Sequence, residues 1–477
     1  MLAHGPRTAQ PRHQSLAAAI EWSYRLLGKP EQLLFARMSV FSGGADLAAV
    51  HAVCAEPGTT EAGSLDLVAA LVDKSMVGAV GRDGATRYRV LETLRAHGRE
   101  RLAEGDPIGR RHAEYFVGLA GAAARGVQGV DERKWVERTL PDADNLRAAF
   151  AFALAERDAD LALRLVAALP EVLQFRRGYE DAEWAEQALE LVDRSHPLFG
   201  AGGGAAARGA WCVGDFSKGL RLAARADGLV LGPGTARSGH PADVAADIAL
   251  YQGNVGAAEK YYNAQVIRAR RDGDRIRLVW TLYYVAICSA VRRVPERGVA
   301  AARESLEVAT ATGNPTALSM ARYALGLVLK KAEPERALAL LDEAATLAAS
   351  VHNFWWESIA LMEAAATRAV HGDAGEAAGA LVTVLDHWDR VGDRTQQWLN
   401  LRYVVRLLVR LGAERDAATL HHCLLAAGKP SPLGPLAAAR LLDGPDGPTL
   451  AAAARHGAEL SAAGAVALAR DSLSRSR

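Results

Sequence analysis

Apolar residues recur at spacings of three and four through almost the whole chain, and Gly, Pro or Gly-Asp pairs interrupt them at intervals. That period is the signature of amphipathic helices with marked ends. One stretch departs from it. MVGAVGRDGATRYRVL (76–91) has a short apolar run, an Asp-Gly pair at 83–84, and a second run in which Arg87, Tyr88, Arg89 and Val90 alternate. Asp-Gly supplies the positive φ angles of a tight turn, so a β-hairpin is predicted here. Helices are predicted before it at about 15–27, 30–39, 46–55 and 64–74, and after it at about 91–104. Helices followed by a two-stranded wing make a winged-helix pattern. Residues 12–106 are read as that domain and 1–11 as a remnant of a linker.

From about residue 178 the breaks become regular. Gly178, Gly214, Gly253, Arg293, Glu333, Gly372 and Gly412 stand 36, 39, 40, 40, 39 and 40 residues apart. Similar helix openings follow: EDAEWAEQAL (180–189), PERGVAAARESL (295–306), PERALALLDEA (334–344), GEAAGALVTVL (375–385) and RDAATLHHCLL (415–425). A small residue recurs at Ala182, Gly298, Ala337, Ala377 and Ala417, where close helix–helix approach would need one. Pro295 and Pro334 sit where a first helical residue can lack its N–H. A second set of breaks, Gly273, Gly313, His352 and Gly392, repeats at 40, 39 and 40. Two interleaved breaks per period mean two helices per repeat, hence an α-solenoid over 178–428. Residues 107–177 are read as a helical bridge, and 429–477 as a C-terminal helical cap ending in one Ala-rich helix, about 449–472. GAGGGAAARG (200–209) and GPGTARSGHP (232–241) are read as flexible loops. The fold class is all-α, a winged helix with one hairpin and then a solenoid of helical hairpins.

Composition narrows the function. Half of the 477 residues are hydrophobic, enough for a large core, and 56 Lys plus Arg oppose 55 Asp plus Glu. A net charge of +1 gives no global pull toward nucleic acid or an anionic membrane. Cys54, Cys212, Cys288 and Cys423 have no close pair, which suits a reducing cytoplasm. The longest uncharged apolar stretch, Leu278 to Val291, is too short to span a bilayer, so a cytoplasmic protein without a membrane partner is expected.

Catalytic signatures are missing. The sequence contains no GxxxxGK[ST], HExxH, CxxC or GxSxG. His421-His422-Cys423 are adjacent on a predicted helix and point in different directions, so no metal site is assigned. No enzyme activity and no cofactor are expected in this chain. For DNA, a recognition helix should carry Arg, Lys, Asn or Gln toward base edges, yet SLDLVAALVDKSMV (64–77) offers Asp66, Asp73 and Lys74. Residues 1–106 hold twelve basic and twelve acidic side chains. On the wing, Arg82, Arg87 and Arg89 are the candidates for phosphate contact. Aromatic residues gather on the first helix of successive repeats, where a solenoid exposes one layer along its concave face. The ligand candidates there are Arg277, Trp280, Tyr284, Arg322, Tyr323, Trp356, Trp398 and Arg402, with the arginines placed to meet an acidic ligand.

Several segments carry a family resemblance. PRHQSLAAAIEWSYRLL (11–27), EQLLFARMSVFSGGADLAAVHAVC (31–54), LDLVAALVDKSMV (65–77), RYRVLETLRAHGRERLAEG (87–105) and PDADNLRAAFAFAL (141–154) resemble the winged-helix region of bacterial STAND-type regulatory ATPases. The type is that of large LuxR-type and antibiotic-regulatory transcriptional regulators. GAELSAAGAVALARDSL (457–473) is similar to the last helices of their sensor array. The resemblance covers essentially the whole chain and is most specific in 11–154. It implies a winged helix followed by tetratricopeptide-like repeats, with a P-loop ATPase placed before them. The repeats would take an inducer or partner, and the winged helix would help hold the nucleotide-bound module closed. Three features depart from the family pattern. The ATPase core is absent, no LuxR-type helix-turn-helix follows residue 473, and Leu91 and Glu92 align with the His and Asp of the family's Met-His-Asp motif. The period near 40 also exceeds the tetratricopeptide norm of about 34, implying longer helices.

The resulting expectation is a non-enzymatic sensor that binds a protein, a peptide or a small inducer on its repeats. It would act on an ATPase module in cis or in trans, and ATP or ADP would enter only through that module. The alternative is a stand-alone regulator that binds DNA directly through the winged helix.

Overall fold

The computed structural model describes residues 11–82, 85–229, 231–232, 234–443 and 447–475. The 83–84 turn, nearly all of the expected linker and the side chain of Arg82 lie outside the described residues. Two compact units form, one from the chain up to Ala123 with Glu137–Leu165, the other from Ala124–Val136 with Val166–Arg477. The expected bridge, 107–177, is shared between them.

The first unit contains α1 (Pro11–Arg25), α2 (Lys29–Met38), α3 (Leu47–Cys54), α4 (Glu61–Asp73), β1 (Gly78–Arg82), β2 (Ala85–Arg89) and α5 (Glu92–Arg99). Local chemistry sets the helix starts. Asp46 accepts from the Ala49 N–H at 2.8 Å and Thr60 from Gly63 at 3.1 Å, satisfying donors that have no partner within the helix. The strands pair antiparallel with Gly78 opposite Arg89, and Tyr88 exchanges backbone hydrogen bonds with Ala45 at 3.0 and 2.8 Å. Leu34, Phe35, Met38, Val50, Val53, Val68, Leu71 and Met76 fill the core between them. α6 (Ile108–Gly126) and α7 (Glu132–Thr139) each run between the two sets of residues, α8 (Ala143–Ala155) lies in the first, and α9 (Ala159–Leu169) ends in the second.

The second unit continues through a π-helical turn (Pro170–Gln174) and α10 (Phe175–Arg177) to α11 (Glu180–Leu189), α12 (Phe199–Cys212), α13 (Phe216–Arg225) and α14 (Pro241–Tyr251). Next come α15 (Val255–Asp272), α16 (Arg275–Arg292), α17 (Pro295–Thr312), α18 (Pro315–Leu329), α19 (Pro334–Ser350) and α20 (Phe354–His371). α21 (Ala374–Val391), α22 (Arg394–Arg410), α23 (Glu414–Ala426), α24 (Pro435–Asp443), α25 (Gly447–Glu459) and α26 (Ala462–Arg475) complete it.

The predicted breaks have a common mechanism. At Gly273, Gly313, His352 and Gly392 the chain turns left-handed, and in each case the next residue, Asp274, Asn314, Asn353 or Asp393, caps the following helix through its side chain. One dipeptide thus ends one helix and starts another. Arg293 and His352 take the left-handed conformation without being glycine, at φ 61° and 54°. Glu333, which opens α19, and Gly372, which ends α20, have negative φ instead.

The repeat helices form two layers. Twelve of eighteen residues in α16 are buried against five of eighteen in α17. The inner layer runs α12, α14, α16, α18, α20, α22, and it bends far enough to meet itself. Thr395 at the start of α22 donates to the Trp211 carbonyl of α12 and accepts from Tyr251 at 2.6 Å, and Tyr179 donates to Asp393 at 2.6 Å. A solenoid confined to neighbour contacts would make none of these.

That closure corrects two expectations. Residues 200–209 are not a flexible loop; all of α12 is buried. Its glycines serve close approach, because a Cβ on Gly204 would lie 2.0 Å from the Gly239 carbonyl oxygen and one on Gly209 2.2 Å from Ala182 Cβ. Nor is the later part of the second predicted loop flexible, since Ala236 through Gly239 are buried and Arg237 is locked onto Glu171 at 3.0 Å. The last predicted helix is also two, α25 and α26. Ser461 breaks it, its hydroxyl accepting from Gly464 N–H at 3.1 Å.

Candidate functional site

In the winged helix, α4 occupies the place of a recognition helix. Ser64, Val68 and Leu71 turn inward, while Glu61, Ala62, Leu65, Asp66, Ala69 and Asp73 are exposed. Lys74, just past its end, is bonded to Glu31 at 2.6 Å. The outward face is thus acidic and apolar. Arg89 is exposed on the wing, but Arg87 is engaged, donating to the Gly44 carbonyl at 2.8 Å and to Asp142 at 2.7 Å.

Asp142 belongs to a buried network that sequence reasoning did not anticipate. Asn145, fully buried, donates to Asp142 and to the Gly44 carbonyl, both at 2.9 Å. Its oxygen accepts from Ser42 N–H at 2.7 Å and faces His112 Nε2 at 3.3 Å. Burial pushes the His112 imidazole down to about 4 despite that bond. Arg95 adds bonds to the Phe41 carbonyl and Ser42 hydroxyl at 3.1 and 2.9 Å. PDADN and RYRVLETLR therefore hold the 41–45 segment, which leads into α3 and pairs with the wing through Ala45 and Tyr88. The available signal was an Asp and an Asn three apart in a helix opening.

In the repeat unit, five of the eight ligand candidates meet in the interior. Arg277 makes a double ion pair with Asp243 at 2.5 and 2.6 Å, and Trp280 Nε1 donates to the same carboxylate at 2.8 Å. Burial would raise the Asp243 pKa, but Arg277 outweighs it and holds the carboxyl down to about 2. Tyr284 donates to Asp247 at 2.9 Å, beside Arg208 at 2.6 Å and stacked on Tyr262 at 4.2 Å. Tyr323 and Trp280 both pack against Trp356, which is 1% exposed. These side chains fill the concave side because the inner layer closes on itself. Arg322 is paired with Glu343 at 2.7 Å. Trp398 and Arg402 remain half-buried on α22.

An open pocket of about 270 Å³ lies near the ends of α18 and α20 and against α22. Lys330, Lys331, Glu363, His371, Tyr403 and Arg406 supply its polar lining, and Ala366, Ala369 and Val370 its apolar wall. Among the described residues no group of three His, Cys, Asp or Glu could hold a metal, and no helix is long and apolar enough to cross a membrane. His421 is buried, His422 bonds the Ala418 carbonyl, and all four cysteines are buried and free.

Fold and surfaces together define a winged helix on the same chain as a helical-repeat unit, and comparison with known protein families agrees on the winged helix. Residues 27–103 match the winged helix-turn-helix domain family. Over 194 residues the chain is 40% identical to a Mycobacterium tuberculosis protein, and equally to one of Mycobacterium bovis, both named as HTH-type transcriptional regulators. Those alignments cover 40% of this chain and 22% of each relative. An uncharacterized M. tuberculosis protein is 39% identical over 92 residues, 19% of this chain and 23% of that one. A crystal structure of a Pyrococcus horikoshii Signal Transduction ATPase with Numerous Domains, bearing a tetratricopeptide repeat sensor, covers 95% of this chain and 66% of its own at 16% identity, with a TM-score of 0.46.

Proposed function

We propose that this chain is the sensor and regulatory part of a transcriptional regulator of the STAND type, and that it works in the cytoplasm by binding rather than by catalysis. A protein, peptide or small inducer on the repeat unit would shift how the winged helix docks on an ATPase module, in cis or in trans. Such a ligand must bind the docked and released states with different affinity, or it shifts nothing. The observation that carries the reading is the exposed face of α4. Glu61, Asp66 and Asp73 would meet DNA phosphates with like charge, whereas Leu65, Ala62 and Ala69 suit a protein surface. A gel shift with mixed duplexes at low salt tests it. We expect no retardation at micromolar protein; salt-sensitive retardation that is lost in Arg89→Gln would favour the direct DNA-binding alternative.

A further inference from the structure

The pocket beside α22 has a charge imbalance that its own residues do not resolve. Its one carboxylate, Glu363, is 2% exposed and fully used: Lys330 donates to one oxygen at 2.5 Å and the Tyr403 hydroxyl to the other at 2.9 Å. Lys331 and Arg406 are left over. Among the described residues neither has an ion-pair partner. Arg406 spends only its Nε, on the Pro432 carbonyl at 2.6 Å, and its guanidinium lies 5.6 Å from the Tyr403 ring centre.

Cations near helix C-termini often serve to satisfy the last carbonyls. Here that task is already done. Arg410 donates to the carbonyls of Arg368, Ala369 and Gly372 at the end of α20. Arg406 sits one turn earlier and stays free of it.

The imbalance continues along the helix. Trp398, Arg402 and Arg406 are four residues apart, so they share one face of α22. Arg402 has no ion-pair partner among the described residues and leaves its buried Nε unbonded. Lys429 stands between the rings of Phe216 and Trp398, at 5.4 and 5.8 Å, again without a carboxylate. Burial lowers the pKa of both groups, and Arg406 lowers that of Arg402 further. Partly desolvated cations that repel one another form a receptor for an anion.

We propose that this pocket binds a small dianion carrying an apolar or aromatic body. Arg406 and Lys331 hold the charge, Arg402 adds to the field from the next turn, and Tyr403 with Ala366, Ala369 and Val370 packs the body. This names the ligand class for the sensor reading above and rests on it. A phosphate monoester and an aromatic dicarboxylate share the required chemistry, and the test separates them.

Isothermal titration of the full chain with phenyl phosphate, phthalate, benzoate and benzyl alcohol provides that test. We expect at least one dianion to bind about tenfold or more tighter than benzoate, weakening as NaCl rises. Whichever dianion binds tighter tells phosphate from carboxylate. Arg406→Gln and Lys331→Gln should each weaken it about tenfold with an unchanged melting temperature. Since Arg406 also holds Pro432, the exposed Lys331 gives the cleaner variant. No preference for a dianion over benzoate, or binding that survives both substitutions, overturns the proposal. Benzyl alcohol binding as tightly as the dianions overturns the charge assignment while leaving the sensor reading intact.

Discussion

The two units solve the same problem, burying polar side chains, in different ways. In the first unit one Asn gathers four neighbours: Asn145 of α8 holds Ser42, Gly44, Asp142 and His112. Two of them, Ser42 and Gly44, stand 103 and 101 residues away in sequence but on one short loop. In the repeat unit, buried ion pairs bind distant stretches of chain. Glu132 accepts from Arg176 at 2.7 Å, from Asn314 Nδ2 at 3.0 Å and from Thr316 N–H and hydroxyl at 2.9 and 2.6 Å. Asn353 reaches the same Thr316 hydroxyl at 3.0 Å. The first arrangement shapes a loop; the second closes a superhelix whose repeats would otherwise touch only their neighbours.

Breaking the closure should therefore cost most. Gly204→Ala puts a methyl 2.0 Å from the Gly239 backbone, which no side-chain rotation relieves. We expect a loss of about 3 kcal/mol or more, or failure to fold, read by urea unfolding. Next comes Glu132→Ala, which strands the Arg176 guanidinium, itself 1% exposed, without its carboxylate. About 3–5 kcal/mol should go, and a Glu132→Ala/Arg176→Met double variant should recover part of it. An unchanged denaturation midpoint in Glu132→Ala would remove that pair from the closure.

Acid should act on the units through buried groups of differing sign. His112, about 4 when folded and near 6.5 when unfolded, makes the first unit lose stability as pH falls from about 6.5 toward 4. In the second unit burial raises Asp181 to about 7 and Asp393 to about 6, so these two carboxyls add stability over the same descent. His240 and His387, pushed by burial to about 3 and about 4, oppose them there. Between pH 7 and 5 the melting temperature of Asp181→Asn should fall further behind that of the unsubstituted chain as pH drops, if the carboxyl acts as stated.

Most of the architecture could be read from the sequence because punctuation and period are local. Gly-Asp and Gly-Asn pairs such as 273–274, 313–314 and 392–393 announce a left-handed turn and a cap without reference to the rest of the chain. What could not be read was non-local. A Gly-rich stretch such as 200–209 has weak helix propensity, and only the close contacts of α12 with Ala182 and Gly239 explain its glycines. The aromatic residues stand on α16, α18, α20 and α22. Whether they line a groove or fill a core depends on how far the superhelix bends, which no single repeat encodes. Trp398 and Arg402 stayed half-buried because α22 lies where the layer meets α12 and the 429–434 segment begins.

The smallest effect sharpens the contrast between glycines kept for contact and glycines without one. Gly256 lies in the first turn of α15, and a Cβ there would meet nothing within 4 Å. The residue has ordinary helical backbone, so Gly256→Ala adds no strain in the folded state and removes freedom from the unfolded one. We expect a gain of about 0.5–1 kcal/mol, against the large loss at Gly204, from the same added methyl in the same unit. If both variants shifted the denaturation midpoint in one direction, close approach would not be what keeps glycine in α12.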